Sequence, residues 1–153
     1  MTTVRLSLLR APVYPDPDAD QGHHVFRTTL VPAAEIADAV RAGYDLNLPV
    51  RTVPGSRPVT PLVTVSNPAV VVEAVKLAED RSGDLIVRLY ESLGTRSTAT
   101  VRPNFAATTV QRTDLLERPL NGAATSPPDS AGGLTLVLRP FELVTLRIRR
   151  SDS

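Results

Sequence analysis

Apolar and polar residues alternate along several short stretches of this chain, as they do in extended strands whose successive side chains face opposite ways. The alternation is plainest at residues 84–91, D-L-I-V-R-L-Y-E, where Leu85, Val87 and Leu89 share one face and Ile86, Arg88 and Tyr90 the other. Residues 139–147, R-P-F-E-L-V-T-L-R, echo that stretch. Further strands are predicted at 61–65, 69–77, 95–102, 105–113, 134–139 and 141–149. Residues 70–78 would tolerate a helix, but three consecutive valines favour a buried strand. Gly83 and Gly94 mark two tight connections. Seven short strands spaced by turns predict an antiparallel β-sandwich over residues 62–150.

The first fifty residues have a different texture. Val4, Leu6 and Leu8 alternate within 4–10, and His24, Phe26, Thr28 and Leu30 within 24–31, which predicts two more strands. Between them, A-P-V-Y-P-D-P-D-A-D-Q-G (11–22) reads as a loop, because proline removes ladder donors and aspartate favours turns. Ile36, Ala37, Val40 and Tyr44 recur at helical spacing and predict one helix near 33–46, with Pro32 in its first turn and Asn47 and Pro49 stopping it. Residues 51–61 hold Pro54, Gly55, Pro58 and Pro61 and read as a linker. The low-apolar stretch 121–133 reads as a mobile excursion. The chain therefore divides into a segment at 1–50, a linker at 51–61 and a sandwich at 62–150. A strand beginning almost at the first residue suggests a piece of something longer.

Composition adds exclusions. The chain has no cysteine, which removes disulfides, thiolate metal sites and cysteine nucleophiles. A net charge of +1 gives no electrostatic case for nucleic acid or an anionic membrane. No apolar run approaches the roughly 18–20 residues of a membrane span, and no leader pattern precedes Val4, so a cytoplasmic location is expected. Arginine is used almost to the exclusion of lysine, Lys76 being the only one, which hints at a G+C-rich bacterial source.

Motifs for catalysis are missing: there is no G-x-G-x-x-G, phosphate loop, H-E-x-x-H or G-x-S-x-G. The Asp16-x-Asp18-x-Asp20 spacing fails as a calcium loop, because Gln21 stands where glycine is needed and Arg27 where glutamate is needed. His23 and His24 are adjacent, so on a strand they point apart and cannot chelate one ion together. Glu73, Glu91, Glu117 and Glu142 lie on predicted strands or at their ends, where ion pairing to Arg88, Arg118, Arg139 or Arg147 is expected. By these residues alone the chain is a non-catalytic β-rich module.

Six blocks in order carry a resemblance: L-S-L-L-R-A-P (6–12), P-D-P-D-A-D-Q-G-H-H-V-F (15–26), L-N-L-P (46–49), V-V-V-E-A-V-K-L-A-E-D (70–80), I-V-R-L-Y-E-S-L-G (86–94) and P-F-E-L-V-T-L-R (140–147). Together the chain resembles the C-terminal part of bacterial α-mannosidases, the family 38 glycoside hydrolases. The resemblance implies the end of a galactose mutarotase-like supersandwich followed by a small Ig-like terminal sandwich. It also implies that zinc and the aspartate nucleophile belong to an N-terminal barrel domain, so no cofactor, metal ligand or catalytic residue is expected here.

Matching positions are Asp20, Gly22, His24 and Phe26, then Lys76, Glu79, Arg88, Tyr90, Glu91, Phe141, Glu142 and Arg147. Thr28 and Ala33 depart from the family pattern. From the matches, Asp20, His24, Arg88, Tyr90 and Glu91 are the candidate carbohydrate contacts, although locking two strands together is the plainer role for the second group. The function implied is a non-catalytic domain that supports the catalytic domain of a parent enzyme, with a sugar subsite as a further expectation. The alternatives are a free-standing module for mannose-containing glycans, disfavoured by the absence of tryptophan and the few other aromatics, and a homodimer paired through sheet edges at 4–10 or 24–31.

Overall fold

The computed structural model describes residues 3–122 and 127–151. Its elements are α1 (Ile36–Asn47), β1 (Val63–Val65), β2 (Val70–Leu77), β3 (Leu85–Glu91), β4 (Ser97–Pro103), β5 (Ala107–Thr113), β6 (Leu134–Leu138) and β7 (Leu143–Arg150). The seven strands form two antiparallel sheets, one ordered β1-β4-β6 and the other β2-β3-β7-β5. The fold is mainly β, as the alternation predicts.

The inward faces of the two sheets make one core. Val63, Ala99, Val101, Leu136 and Leu138 come from the three-stranded sheet, and Leu85, Val87, Leu89, Val144, Leu146 and Ile148 from the four-stranded one. Leu89, Leu138 and Leu146 are fully buried, and burying each such side chain contributes about 1.5–3 kcal/mol. Register follows the alternation: Val87 pairs with Leu146 and Leu89 with Val144, which puts apolar residues opposite one another on the same face.

On the outer face of the four-stranded sheet Ile86 is also fully buried. The turn after β5 folds back over that face. Thr113 and Pro119 form a bridge. Within the turn, Asp114 Oδ1 accepts from the amides of Leu116 and Arg118, while Arg118 Nε donates to Asp114 Oδ2. Glu117 sits at φ 66. Its carboxylate reaches β2 and the turn after it, lying 2.7 Å from Lys76 Nζ and accepting from the amide of Glu79 at 2.8 Å.

The turns between strands set the next constraint. Gly94 has φ +74, and a Cβ placed there would lie 2.7 Å from Cζ of Phe141. The Phe141 ring is exposed and free to move, so the left-handed backbone supplies most of the penalty. Gly94→Ala is expected to cost about 1–2 kcal/mol, read as a lower urea midpoint, and Phe141→Ala in the same background restores little of it.

Two expectations for the first fifty residues are corrected. Residues 4–10 and 24–31 carry no β ladder among the described residues. Alternation reports which face a side chain takes, but a ladder needs a second strand to pair the backbone groups. Large apolar side chains there stay exposed, including Val4, Leu6, Val25 and Leu30. The helix begins at Ile36, with its apolar stripe but later than the expected span of 33–46, because Ala33 takes φ 57 and breaks the turn after Pro32. Residues 51–61 have no strand or helix and are exposed. The excursion expected at 121–133 falls partly on 123–126, outside the described residues. The part described closes in a turn where Asp129 Oδ1 accepts from the amides of Ala131 and Gly133.

Candidate functional site

Glu91 ends β3 with a fully buried carboxylate. Oε1 accepts from the Leu93 amide at 3.0 Å, Thr95 Oγ1 at 3.2 Å and Ser97 Oγ at 3.5 Å. Oε2 accepts from the Gly94 amide at 2.8 Å and the Phe141 amide at 3.0 Å. One side chain thus closes the β3–β4 turn on itself and ties it to the turn before β7. Burial pushes the carboxyl up, but the amides of Phe141, Leu93, Thr95 and Gly94 outweigh it and hold it at about 2 instead of 4.5. The arginine partner expected for Glu91 is replaced by backbone donors. No oxygen of this carboxylate is left for a sugar hydroxyl in this arrangement.

Arg88 and Tyr90, on the outer face of β3, are half-buried. Arg88 Nη2 donates to the carbonyl of Leu115 at 2.9 Å, holding down the turn after β5. Its Nε has no hydrogen-bond partner among the described residues. The Tyr90 hydroxyl meets that of Tyr44, which donates to it at 3.3 Å and so ties α1 to the sheet. The bond to Tyr90, with burial, pushes the Tyr44 phenol up to about 12. An open cleft of about 360 Å³ lies here, lined by Val40, Tyr44, Leu48 and Tyr90 among others.

Arg147, on β7, reaches the turn between β2 and β3. Its Nε donates to Asp84 Oδ2 at 2.6 Å, and its Nη2 to Ser82 Oγ at 2.9 Å and Asp80 Oδ2 at 2.7 Å. Asp84 is buried, so this pair is shielded from solvent. The pairing foreseen for the glutamates holds for Glu142, which sits 3.5 Å from Arg139 and 3.9 Å from Arg112. Glu117 pairs with lysine instead.

Asp20 and His24 lie in the exposed first segment. The His24 Nε2 donates to the Asp20 carbonyl at 2.7 Å, and its ring stacks on Phe26 with centroids 6.0 Å apart. Among the described residues no hydrogen bond or ion pair joins these two to Arg88, Tyr90 or Glu91. The five candidate contacts therefore fall into two groups. Among the described residues no three His, Asp or Glu side chains converge to hold a metal. Among them, too, no helix is long and apolar enough to cross a membrane.

Sequence reasoning passed over Asp80, Ser82 and Asp84, although D-R-S-G-D is a turn sequence whose carboxylates have to find donors. It used Tyr44 only as one residue of an apolar stripe. A phenol at the end of such a stripe, with its hydroxyl needing a partner, was the available signal.

Comparison with known proteins accords with this geometry. Human Alpha-mannosidase 2C1 is 36% identical over 157 residues, covering 92% of this chain and 14% of its own length. The mouse Alpha-mannosidase 2C1 is 34% identical over 150 residues with the same shares, and the Saccharomyces cerevisiae Alpha-mannosidase is 27% identical over 168 residues, 95% of this chain and 16% of its own. The chain thus spans about one-seventh of the length of these relatives. Residues 69–146, which run from β2 into β7, match the glycosyl hydrolases family 38 C-terminal beta sandwich domain. With that match over half of its residues, and with two antiparallel sheets in that stretch, the chain belongs to the glycosyl hydrolase family 38 C-terminal β-sandwich family.

Proposed function

We propose that this chain is the non-catalytic C-terminal β-domain of an α-mannosidase-like glycoside hydrolase, and that it supports the catalytic portion of that enzyme. The observation that carries the reading is the use of the matched polar residues. Glu91 and Arg147 are spent on bonds that join turns and strands within the sandwich. The small share of its relatives that the chain spans agrees with a supporting part. On this reading zinc and the nucleophile reside in the portion not spanned, and the enzyme is cytoplasmic. A sugar subsite, if the chain contributes one, falls at Tyr90 and Arg88, which remain half-buried, rather than at Glu91.

The purified chain is expected not to hydrolyse an aryl α-mannoside, with or without added Zn²⁺, and to give no heat with mannose or mannobiose up to millimolar concentration. Zinc-dependent hydrolysis overturns the reading. Sugar binding at micromolar concentration favours a free-standing carbohydrate-binding module instead.

A second reading rests on the exposed alternating segments at 4–10 and 24–31, whose apolar residues have no ladder partner. Such segments pair readily with another chain. A concentration-dependent dimer in light scattering that Leu6→Lys and Leu30→Lys abolish favours it, and a strict monomer excludes it.

A further inference from the structure

The outer face of the four-stranded sheet has a second, unfilled half. Ile86 and Arg147 lie at its covered end. At the other end Arg88, Thr145 and Thr113 form one row across β3, β7 and β5. Beside this row a cleft of about 540 Å³ opens, walled by Leu115, Leu116, Leu120 and Leu143, with Thr113 and Thr145 also lining it. Leu115 and Leu116 are 56% and 70% exposed. Leucines so exposed are unremarkable singly but notable when four line one concavity.

One polar atom in the lining of this cleft is unsatisfied, and a second lies just outside that lining. Thr113 is only 4% exposed, and its Oγ1 has no hydrogen-bond partner among the described residues. The same holds for Nε of Arg88, the side chain that grips the cleft wall through the carbonyl of Leu115. Buried polar atoms normally have partners. A hydroxyl and a guanidinium N–H both without one call for a hydrogen-bond acceptor from outside, set among apolar groups.

We propose that this cleft is the docking seat for the preceding portion of the parent α-mannosidase-type chain, which inserts an apolar side chain among the four leucines and a backbone carbonyl or carboxylate toward Arg88 and Thr113. The proposal rests on the supporting role inferred above. Two further observations favour this occupant. About six-sevenths of the length of the relatives lies outside the part matched, while the family is a C-terminal domain, so there is a large preceding body to dock. The cleft is also continuous with the side from which the earlier residues arrive: Leu143 pairs with Tyr90, and Tyr90 holds α1 through Tyr44. Besides the leucines and threonines the lining holds Asp114 and Arg118, which are paired with each other at 2.7 Å, so the match sought is an apolar element flanked by an acceptor, not a sugar or a free anion.

The test uses a full-length chimera, human Alpha-mannosidase 2C1 with its matched stretch replaced by this chain, beside the free 153-residue chain. Calorimetry follows the unfolding of the sandwich in each. Docking is expected to raise the sandwich midpoint in the chimera by about 5 °C or more over the free chain. The variant Leu115→Glu/Leu143→Glu is expected to unfold like the original when free, since both side chains are exposed, and to lose the rise in the chimera. Thr113→Val, which removes the hydroxyl while keeping the shape, is expected to lose part of it. If the native chimera shows no rise, the supporting role itself fails. If it shows the rise and the double variant keeps it, the supporting role stands and the cleft is not the seat. A free chain that dimerises, with a monomeric double variant, assigns the cleft to a second copy and overturns the proposal.

Discussion

Replacing Glu91 by alanine is expected to lower the stability of the domain by about 3 kcal/mol or more, because the amides of Leu93, Gly94 and Phe141 lose their acceptor at once and each buried orphan costs roughly 1–3 kcal/mol. For a domain of this size that is a fall of roughly 10–20 °C in Tm. Glu91→Gln keeps the shape but turns an NH₂ toward donors that need an oxygen, so it is expected to recover only part of the loss.

The effect also has a pH signature. The folded carboxyl titrates at about 2 rather than 4.5. A depressed folded pKa means the charged form is favoured by folding. The contribution is therefore complete above pH 4.5 and lost as pH falls toward 2. The stability gap between the original chain and Glu91→Ala is expected to narrow across that interval in urea titrations. A gap that is constant from pH 6 to 2 shows that the carboxylate charge is not what holds the turns. Equal stability of the two proteins at neutral pH, with altered sugar binding, returns Glu91 to the ligand role.

The second large effect is expected at Arg147. Arg147→Ala leaves Asp84 buried without its 2.6 Å partner, and stranding one member of a buried pair costs about 3–5 kcal/mol. Arg149, whose Nε lies 3.9 Å from Asp84 Oδ1, is too far to replace it fully. Arg147→Lys keeps the charge but not the fork that serves Asp84, Ser82 and Asp80 together, so an intermediate loss follows. A double-mutant cycle with Asp84→Asn checks the assignment. If the two losses simply add, the pair is not coupled and the turn is held by something else.

The sandwich was legible in the sequence because burial on one face imposes a period of two. Leu85, Val87 and Leu89 cannot share the core without Ile86, Arg88 and Tyr90 pointing outward. The order of strands was not legible, since nothing local says that β7 enters between β3 and β5. Nor was the reach of Glu117 to Lys76, which depends on a left-handed residue in a turn that the pattern treats as loop. At residues 4–10 the alternation was real, but the ladder it suggested needs a partner no local pattern can supply. Glu91 stood out as part of a resemblance, and its neighbours hinted at its job. Serine, glycine and threonine within four residues of a strand-ending glutamate are the makings of a turn folded around a carboxylate.

The place of β7 has a consequence for biosynthesis. It is the last of the seven described strands in chain order yet stands inside its sheet, bonded on both sides, so β3 and β5 each wait for it. Asp84 waits sixty-three residues for Arg147. Until those residues leave the ribosome, β3 is paired along one edge only, with β2, and β5 has no neighbour in its sheet. A nascent chain in this state presents bare, apolar strand edges. The interval before β7 appears is when holding chaperones are most needed. A premature stop shortly before Leu143 would leave the chain in that state permanently, and such a product would be cleared or would aggregate rather than fold in part.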